Sequence, residues 1–335
     1  MSAPPDQASY IMYGAEFSLY SGTLRSYLRK KGIAFEERTA TARRYRRFII
    51  PRTGVRFIPV LQTPEDEVLQ DTSVIIDALE RRHPQPAVYP EQPVQRVVSL
   101  LLELLGDEWL LMPAMHYRWN KPGQTRFLYR EFGGLLFPWL PPPLQRVIGK
   151  RVAARFAGFV PKLGITDATR DAVERRYEQL LGDLERHFAE SPYLLGERPT
   201  IGDFGLIAPF YAHLYRDPWP GRHMRERAPG VARWVERMMA PEPARGPLLA
   251  GDAVPDTLLA AMSPMCQDYM PILADTVERL EAYLQSHGPG ELPRTIGTHS
   301  FTIDGAEGER IVLPYSVWML QRVQAAYNAL DEDDR

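Results

Sequence analysis

A proline-rich segment divides this chain into two parts with different sequence patterns. Residues 83–93 (HPQPAVYPEQP) hold four prolines in eleven positions. Because proline fixes φ and lacks an N–H donor, this segment predicts a stiff linker and not a helix. Short apolar runs alternate with helical spacing before it, whereas the spacing after it is almost entirely helical. The sequence therefore predicts a small α/β domain, a linker and a larger helical part.

The part before the linker predicts strands and helices in alternation. Gly32 follows the first helical pattern and is a typical helix end, and Asp71 precedes the second pattern. An arginine-rich segment, 43–47, lies between the second and third strands. The predicted elements are a strand at 10–13, a helix at 19–31, strands at 33–37, 57–61 and 68–69, and a helix at 72–82.

The part after the linker predicts a helix bundle with one interruption. Residues 123–161 mix aromatic residues, arginines and prolines, which indicates an insertion between two bundle helices. The bundle helices are predicted at 94–115, 170–189, 200–215 and 229–239.

A C-terminal extension follows a loop at 241–255. It predicts a helix at 257–284, a β-hairpin with strands at 300–303 and 310–313, and a last helix at 317–330. Both helices carry many large apolar residues, and an isolated hairpin between them is marginal. We therefore expect the extension to dock on the helical part and not to be a tethered module.

Composition excludes several classes of site. The 335-residue chain has 40 basic and 42 acidic residues, a net charge of −2, so it lacks the excess positive charge of a general nucleic-acid binder. The single cysteine, Cys266, rules out an internal disulfide framework, a CxxC redox pair and a thiolate zinc cluster. The seven histidines show no metal-binding spacing, so we predict no metal.

The distribution of apolar residues indicates where in the cell the protein is expected to lie. No window of 18 or more apolar residues is present, which predicts no membrane span. The first residues lack a basic segment followed by an apolar one, so no secretory signal is expected and a cytoplasmic protein is predicted.

Four segments carry a resemblance to the glutathione transferase superfamily. They are 18–25 (SLYSGTLR), 57–61 (FIPVL), 69–75 (LQDTSVI) and 193–203 (YLLGERPTIGD). The resemblance covers about residues 9–240. It implies a two-domain α+β fold: a thioredoxin-like glutathione-binding domain at 9–83, a linker at 84–93 and an all-helical domain at 94–243. The helical domain contains the insertion at about 123–161, and the extension, 244–335, lies outside the family's usual core.

The resemblance also implies the residues that hold glutathione. Ile58 before Pro59 is similar to the family's strand that enters a cis-proline and offers backbone groups to the cysteinyl part; the alternative is a trans proline that ends a strand. Asp71 and Thr72 resemble the acidic-hydroxyl pair that receives the γ-glutamyl group at a helix N-terminus. An ordinary N-cap is the alternative there, and Asp71 is shorter than the family's more frequent Glu or Gln.

The catalytic hydroxyl implied by the resemblance falls at Ser18. A hydroxyl at the start of a helix can donate to a thiolate, and the helix dipole adds to that stabilisation. Tyr13, Tyr20 and Ser21 are neighbouring alternatives, and Ser18 acting only as a helix cap is another. A cysteine-type enzyme is disfavoured because none of these positions is cysteine.

Two further sequence features have structural and functional interpretations. One of Arg43, Arg44, Arg46 and Arg47 could bind the glycine carboxylate of glutathione, or all four could be solvated. The aromatic residues of the insertion could roof an acceptor pocket, meet a partner or pack in the core. In contrast, 200–203 (TIGD) predicts a capping box, in which Asp203 is structural and not a catalytic acid.

The predicted function is glutathione transfer: attack of the glutathione thiolate on an electrophilic carbon of an apolar small-molecule acceptor. Glutathione is then a co-substrate. Two alternatives stay open, a non-catalytic glutathione-transferase-like binding or scaffold protein, and a glutathione-dependent lyase or isomerase. The resemblance also implies a homodimer.

Overall fold

The computed structural model describes residues 9–332 and shows a four-stranded mixed sheet in the N-terminal domain. The strand order is β2-β1-β3-β4, with β1 parallel to β2 and the other pairs antiparallel. This arrangement, with helices on the sheet, confirms the predicted thioredoxin-like domain. Its elements are β1 (Tyr10–Gly14), α1 (Leu19–Lys31), β2 (Phe35–Thr39), α2 (Ala42–Arg44), α3 (Ile50–Thr53), β3 (Val60–Gln62), β4 (Val68–Gln70) and α4 (Thr72–Arg82).

Two strands begin later than predicted, each for a local reason. Helix α1 ends at Gly32, whose φ of 72° is left-handed, and the next N–H, that of Ile33, donates to the carbonyl of Leu28 at 2.9 Å. Because Ile33 closes the helix, β2 pairs only from Phe35. Strand β3 begins at Val60 because Pro59 has no N–H to donate.

The helical domain is confirmed, but two of its predicted helices are interrupted. The predicted helix 94–115 contains a π-helical turn, Leu105–Trp109, and the predicted helix 200–215 ends in another, Phe210–Tyr215. A Cβ on Gly106 would lie 2.5 Å from the carbonyl carbon of Gly205, so the two segments cross at a distance that only glycine permits. The helices are α5 (Pro93–Leu104), α6 (Leu111–Asn120), α7 (Thr125–Leu136), α8 (Pro142–Ala157), α9 (Arg170–Glu190), α10 (Ile201–Pro209), α11 (Pro218–Arg227) and α12 (Pro229–Met239).

The insertion is a helical hairpin formed by α7 and α8. The helices touch through glycine: a Cβ on Gly149 would lie 1.8 Å from the carbonyl oxygen of Tyr129. The ring of Phe132 lies 4.8 Å from that of Phe17 and 5.0 Å from that of Phe156, which fixes the hairpin to the loop before α1. Phe132 therefore packs in a core, and no acceptor-roofing role is needed to explain it.

The C-terminal extension docks on the helical domain, as predicted. Its elements are α13 (Asp256–His287), β5 (Thr298–Ile303), β6 (Ala306–Ile311) and α14 (Tyr315–Asn328). Helix α13 packs on α9, and α14 packs on α5. The hairpin turn contains only Asp304 and Gly305, with φ of 45° and 78°, so β6 starts earlier than the sequence pattern predicted.

The capping box in the helical domain has the predicted structural role. Asp203 is fully buried, and its carboxylate accepts hydrogen bonds from the backbone N–H groups of Thr200 and Leu194 and from the indole N–H of Trp234. Burial raises the pKa of Asp203 to about 6. These bonds join α10, α12 and the turn before α10. In residues 9–332, no helix is long and apolar enough to cross a bilayer.

Candidate functional site

The N-terminus of α1 presents a hydroxyl and unpaired N–H groups. Ser18 is the N-cap of α1, half-buried, and its Oγ accepts a hydrogen bond from the N–H of Ser21 at 3.4 Å. The hydroxyl hydrogen of Ser18 is thus left to donate elsewhere. Within the described chain, the N–H groups of Leu19 and Tyr20 have no hydrogen-bond partner. The helix start therefore offers three donors to an anion.

The three alternative hydroxyls have other surroundings. Ser21 is buried, and its Oγ accepts the N–H of Ala15 at 3.2 Å, a contact that shapes the loop. Tyr13 lies in a separate small core, stacked on Phe48, with its hydroxyl donating to Gln62 at 3.1 Å. These two hydroxyls serve structural contacts.

Tyr20 is the third alternative, and it faces acidic side chains. Burial, followed by the nearby carboxylates of Asp107 and Glu108, holds the pKa of Tyr20 well above its usual range. The phenol therefore stays protonated, and Asp107 and Glu108, once ionised, oppose a thiolate beside it. Of the four candidates, Ser18 has the surroundings that best suit an anionic sulfur.

The Ile58–Pro59 peptide bond is cis, as predicted. Pro59 is buried and leads directly into β3, while Ile58 is only half-buried. In the described chain, neither the N–H nor the C=O of Ile58 has a hydrogen-bond partner. Both groups are therefore free to bind a peptide-like ligand.

Asp71 is the N-cap of α4 and has an unusual backbone. Its φ is 79°, a left-handed value that non-glycine residues seldom adopt, and such strain concentrates at functional positions. One carboxylate oxygen accepts the N–H groups of Ser73 at 3.1 Å and Val74 at 3.2 Å. The N–H of Thr72 has no hydrogen-bond partner among the described residues. Asp71 therefore caps α4 through this oxygen, its second oxygen is left for another contact, and a role in binding the γ-glutamyl group stays a prediction.

That second oxygen is occupied by the C-terminal extension. The hydroxyl of Tyr315, the first residue of α14, donates to Asp71 Oδ2 at 2.9 Å. Burial, together with the charge of Asp71, raises the pKa of the Tyr315 phenol far above its usual value, so it remains a donor. The extension therefore contacts a predicted ligand-binding residue.

A second set of contacts, made by Arg322, holds α14 close to Asp71. The guanidinium of Arg322 donates to Asp77 at 3.0 Å and to the hydroxyl of Tyr89 at 2.8 Å, and it lies 3.4 Å from Glu103. The hydroxyl of Ser73 donates to the other oxygen of Glu103 at 2.7 Å. Helices α4, α5 and α14 thus meet in one buried polar cluster.

Three buried carboxyl groups lie on α5 and the π-helical turn, near Tyr20 and Asp71. They are Glu103, Asp107 and Glu108. Burial, the main cause, raises the pKa of Glu103 and of Glu108 to about 7, and that of Asp107 well above its usual range. Asp107 Oδ1 has no hydrogen-bond partner in the described chain. This oxygen is therefore enclosed by the protein without a hydrogen-bond partner among the described residues.

The rings of Phe57 and Phe159, which we call the aromatic wall, lie near Ile58 and contact one cation. The guanidinium of Arg294, from the extension, lies 5.3 Å from the ring of Phe57 and 5.5 Å from the ring of Phe159. Phe57 is 47% exposed although it is large and apolar. Residues from three segments therefore meet here: Phe57 before β3, Phe159 near the end of the insertion and Arg294 of the extension.

A buried ion pair holds the loop that precedes Ser18. Arg118, on α6, forms a bidentate pair with Asp217, with both N–O distances 2.7 Å. The same guanidinium donates to the carbonyls of Phe17 at 3.1 Å and Ala212 at 2.8 Å. All three of its nitrogens donate hydrogen bonds, and the bond to Phe17 attaches the loop to the helical domain.

The arginine-rich segment is partly accounted for. Arg44 donates to the carbonyl of Thr39 at 2.8 Å, whereas Arg43, Arg46 and Arg47 are exposed or nearly so. Those three form no ion pair within residues 9–332. A role in binding the glycine carboxylate stays a prediction.

Comparison with known proteins identifies both domains. Residues 12–87 match the family model of the glutathione S-transferase N-terminal domain, and residues 167–237 match that of its C-terminal domain. The chain belongs to the glutathione transferase superfamily. The α7–α8 hairpin and the C-terminal extension of this transferase-family protein lie outside both matched segments.

Solved structures of this superfamily are similar to this chain at low sequence identity. Glutathione transferase GSTFuA3 from Phanerochaete chrysosporium has a TM-score of 0.51 and 18% identity, covering 70% of this chain and 97% of that one. A glutathione S-transferase from Methylobacterium radiotolerans, in complex with glutathione sulfonate, has a TM-score of 0.41 and 19% identity over 72% and 98% of the two chains. Beta-etherase LigF from Sphingobium sp. strain SYK-6 has a TM-score of 0.47 and 17% identity over 76% and 99%. No curated protein matches the sequence.

Several residues of the site were missed by sequence reasoning. Tyr315 was assigned to a loop because the last helix was predicted to begin at residue 317. Asp107 lay within the predicted helix 94–115 and Arg118 lay just after it, and neither position carried a sign of function. A charged residue in an otherwise apolar helical stretch, as in 100–110 (LLLELLGDEWL), is the one signal that pointed to the buried carboxyl groups.

Proposed function

We propose that this protein binds glutathione in its N-terminal domain and transfers it to an apolar electrophile. The thiol loses its proton, the sulfur forms a bond to an electrophilic carbon, and the leaving group departs with the electrons of the broken bond. The observation that carries the proposal is the position of Ser18 at the start of α1. Its free hydroxyl hydrogen and the unpaired N–H groups of Leu19 and Tyr20 favour a thiolate over a thiol.

The tripeptide backbone has matching groups on the protein. The unpaired N–H and C=O of Ile58 can pair with the cysteinyl residue as an added strand would. The unpaired N–H of Thr72, at the start of α4, can bind the γ-glutamyl carboxylate. Asp71 can accept a hydrogen bond from the γ-glutamyl ammonium.

The acceptor is proposed to lie against the aromatic wall formed by Phe57 and Phe159. These rings suit an apolar or aromatic acceptor. Arg294 lies over both rings and can stabilise negative charge that develops on the leaving group. A homodimer, implied by the family resemblance, remains a prediction.

Two measurements on the full chain test the proposal. Calorimetry with millimolar glutathione should give saturable heat, and glutathione with an activated aryl halide should give a conjugate faster than in the absence of protein. A variant with Arg294→Gln should bind glutathione like the wild type but form the conjugate more slowly. If the wild type gives neither heat nor conjugate, the proposal is wrong.

One observation favours a non-catalytic protein as a second candidate. The hydrogen bond from Tyr315 uses the Asp71 oxygen that the ammonium needs. If α14 stays in that position in solution, glutathione loses one ionic contact and the protein would keep the fold as a binding scaffold. Heat of glutathione binding without any conjugate, tested over several classes of electrophile, would support this candidate.

A further inference from the structure

The α7–α8 hairpin is far more basic than the rest of the chain. Residues 121–162 contain eight basic residues and one acidic residue, a net charge of +7, although the whole chain carries −2. The acidic residue, Glu131, is paired with Arg216 of the helical domain. The basic residues are Lys121, Arg126, Arg130, Arg146, Lys150, Arg151, Arg155 and Lys162.

Large apolar side chains are exposed among these cations. Leu144 is 52% exposed, Val147 is 56% exposed, and Trp139, in the turn between the two helices, is 58% exposed. Leu144 and Val147 are three residues apart and so share one face of α8. Exposed apolar groups at helical spacing, next to an aromatic residue, are not explained by packing within this chain.

The cations around that face are free. Arg146, Lys150, Arg151 and Arg155 are all exposed, and none of them forms an ion pair with a carboxylate in residues 9–332. Arg151 follows Val147 by four positions and Arg155 follows Arg151 by four, so both extend the row that starts at Leu144 and Val147. The face of α8 that points to solvent is therefore both apolar and positively charged.

The hairpin holds this face in a defined position. The side-chain amide of Gln145 donates to the carbonyls of Phe137, Pro138 and Leu140 at 3.2, 3.3 and 2.9 Å, which fixes the turn that bears Trp139. The two helices pack through Gly133 and Gly149, with no room for a Cβ at either position. Trp139 and the face of α8 are thus presented without a rearrangement of the hairpin.

We propose that the α7–α8 hairpin is a peripheral docking surface for an anionic lipid bilayer. Trp139, Leu144 and Val147 would enter the headgroup region, while Arg146, Lys150, Arg151 and Arg155 contact lipid phosphates. An interfacial helix with apolar and basic residues and a tryptophan has this chemistry. Each cation near an anionic membrane surface strengthens binding about fivefold.

Charge and side-chain chemistry favour an anionic bilayer over two other partners, a second copy of the chain and a nucleic acid. A second copy of the chain is disfavoured because two faces of positive charge repel each other. A nucleic acid would use the cations, but it would not cover Trp139, Leu144 and Val147 with apolar surface. Gln145 is the one polar uncharged side chain of α8. Its amide donates hydrogen bonds within the hairpin, so it cannot bind the edges of nucleic-acid bases.

Vesicle flotation with the full-length protein tests the proposal. Vesicles of phosphatidylcholine and phosphatidylserine at 0.15 M salt should carry the protein, and vesicles of phosphatidylcholine alone should not. The variant R146Q/K150Q/R151Q/R155Q should bind the anionic vesicles at least about a hundredfold more weakly. W139S/L144S should bind at least about tenfold more weakly with the charges intact. Melting temperatures should confirm that both variants fold.

A matched control removes the same charge elsewhere. R81Q/R222Q/R233Q/R245Q changes four exposed arginines outside the hairpin, none of which forms an ion pair in the described chain. It should bind vesicles like the wild type. The proposal is overturned if the wild type does not float, if the control loses as much binding as the hairpin variant, or if W139S/L144S binds normally. Binding to a short oligonucleotide but not to vesicles would replace the bilayer with a nucleic acid.

Discussion

At the scale of single residues, Tyr315 connects the C-terminal extension to the proposed glutathione site. Its hydroxyl donates to Asp71 Oδ2, and Asp71 has a left-handed backbone and caps α4. One carboxylate therefore serves the helix, the extension and, in our proposal, the ligand. Oδ1 caps the helix, so the extension and the proposed ligand share only Oδ2, and Tyr315 competes with glutathione for that oxygen.

We predict that Tyr315→Phe strengthens glutathione binding. The substitution removes the hydroxyl and frees Asp71 Oδ2, and a hydrogen bond of this kind is worth about 1 kcal/mol, or about fivefold in Kd. Calorimetry measures the change. Tyr283→Phe, on the exposed part of α13, is the matched control and should leave Kd unaltered. Weaker binding by Tyr315→Phe would mean that this hydroxyl contacts the ligand instead.

A second prediction at this scale concerns pH and Glu108. Burial raises its pKa from the ordinary value of 4.5 to about 7, so the folded state holds a proton that the unfolded chain releases. The stability that this proton contributes is complete below pH 4.5 and is lost as pH rises through about 7.

Glu108→Gln removes this titration. We expect the variant to be more stable than the wild type at pH 8, by up to about 3 kcal/mol, and little different near pH 4.5. Urea unfolding followed across this pH range measures it. The pKa values of Glu103 and Asp203 are also raised, so the free energy of unfolding still depends partly on pH in both proteins. A variant less stable than the wild type at pH 8 would contradict the assignment.

At the scale of elements, the sequence predicted which helices and strands exist better than where they end. Helices at 19–31 and 72–82 have the predicted bounds, because Gly32 and Asp71 are local signals. The start of β2 depends on the N–H of Ile33 closing α1, and that of β3 on Pro59. The first π-helical turn, Leu105–Trp109, lies where Gly106 meets Gly205 of α10, a tertiary contact that has no local signature.

The Arg118–Asp217 pair links the loop before α1 to the helical domain, and we predict that it is needed for folding. Asp217 is fully buried, so Arg118→Met leaves an unpaired carboxylate and should cost about 3–5 kcal/mol. Thermal and urea unfolding measure this. The double variant Arg118→Met with Asp217→Leu should recover a large part of the loss, because neither charge remains. Equal losses in the single and double variants would show that the hydrogen bond to Phe17 matters more than the charge pair.

At the scale of the whole molecule, the extension is part of the fold and also of the site. Helices α13 and α14 pack on α9 and α5, and α14 brings Tyr315 and Arg322 to Asp71 and Glu103. The sequence predicted docking from the apolar residues of the two helices. It could not predict the contact with Asp71, because residues 244 positions apart meet only through the complete packing.

Two neighbouring leucines test the docking of α13. Leu258 is fully buried, whereas Leu259 is 46% exposed. Leu258→Ala should therefore destabilise the protein by about 2–5 kcal/mol, and Leu259→Ala should change stability by less than about 1 kcal/mol. The melting temperatures of the two variants measure the difference. Equal, small effects would mean that α13 is not docked in solution.

The central claim is that the Ser18 hydroxyl stabilises the glutathione thiolate, and the thiol pKa of bound glutathione tests it most directly. Ultraviolet thiolate absorbance against pH reports this value. Cys266 does not interfere below pH 9, because burial raises its pKa to about 11. We predict that Ser18→Ala raises the pKa of the bound thiol by about one to two units, the loss of a hydrogen bond to a charged group of about 1.5–3 kcal/mol. Tyr13→Phe should leave it unaltered. A pKa that is unchanged in Ser18→Ala but raised in Tyr13→Phe would contradict the account.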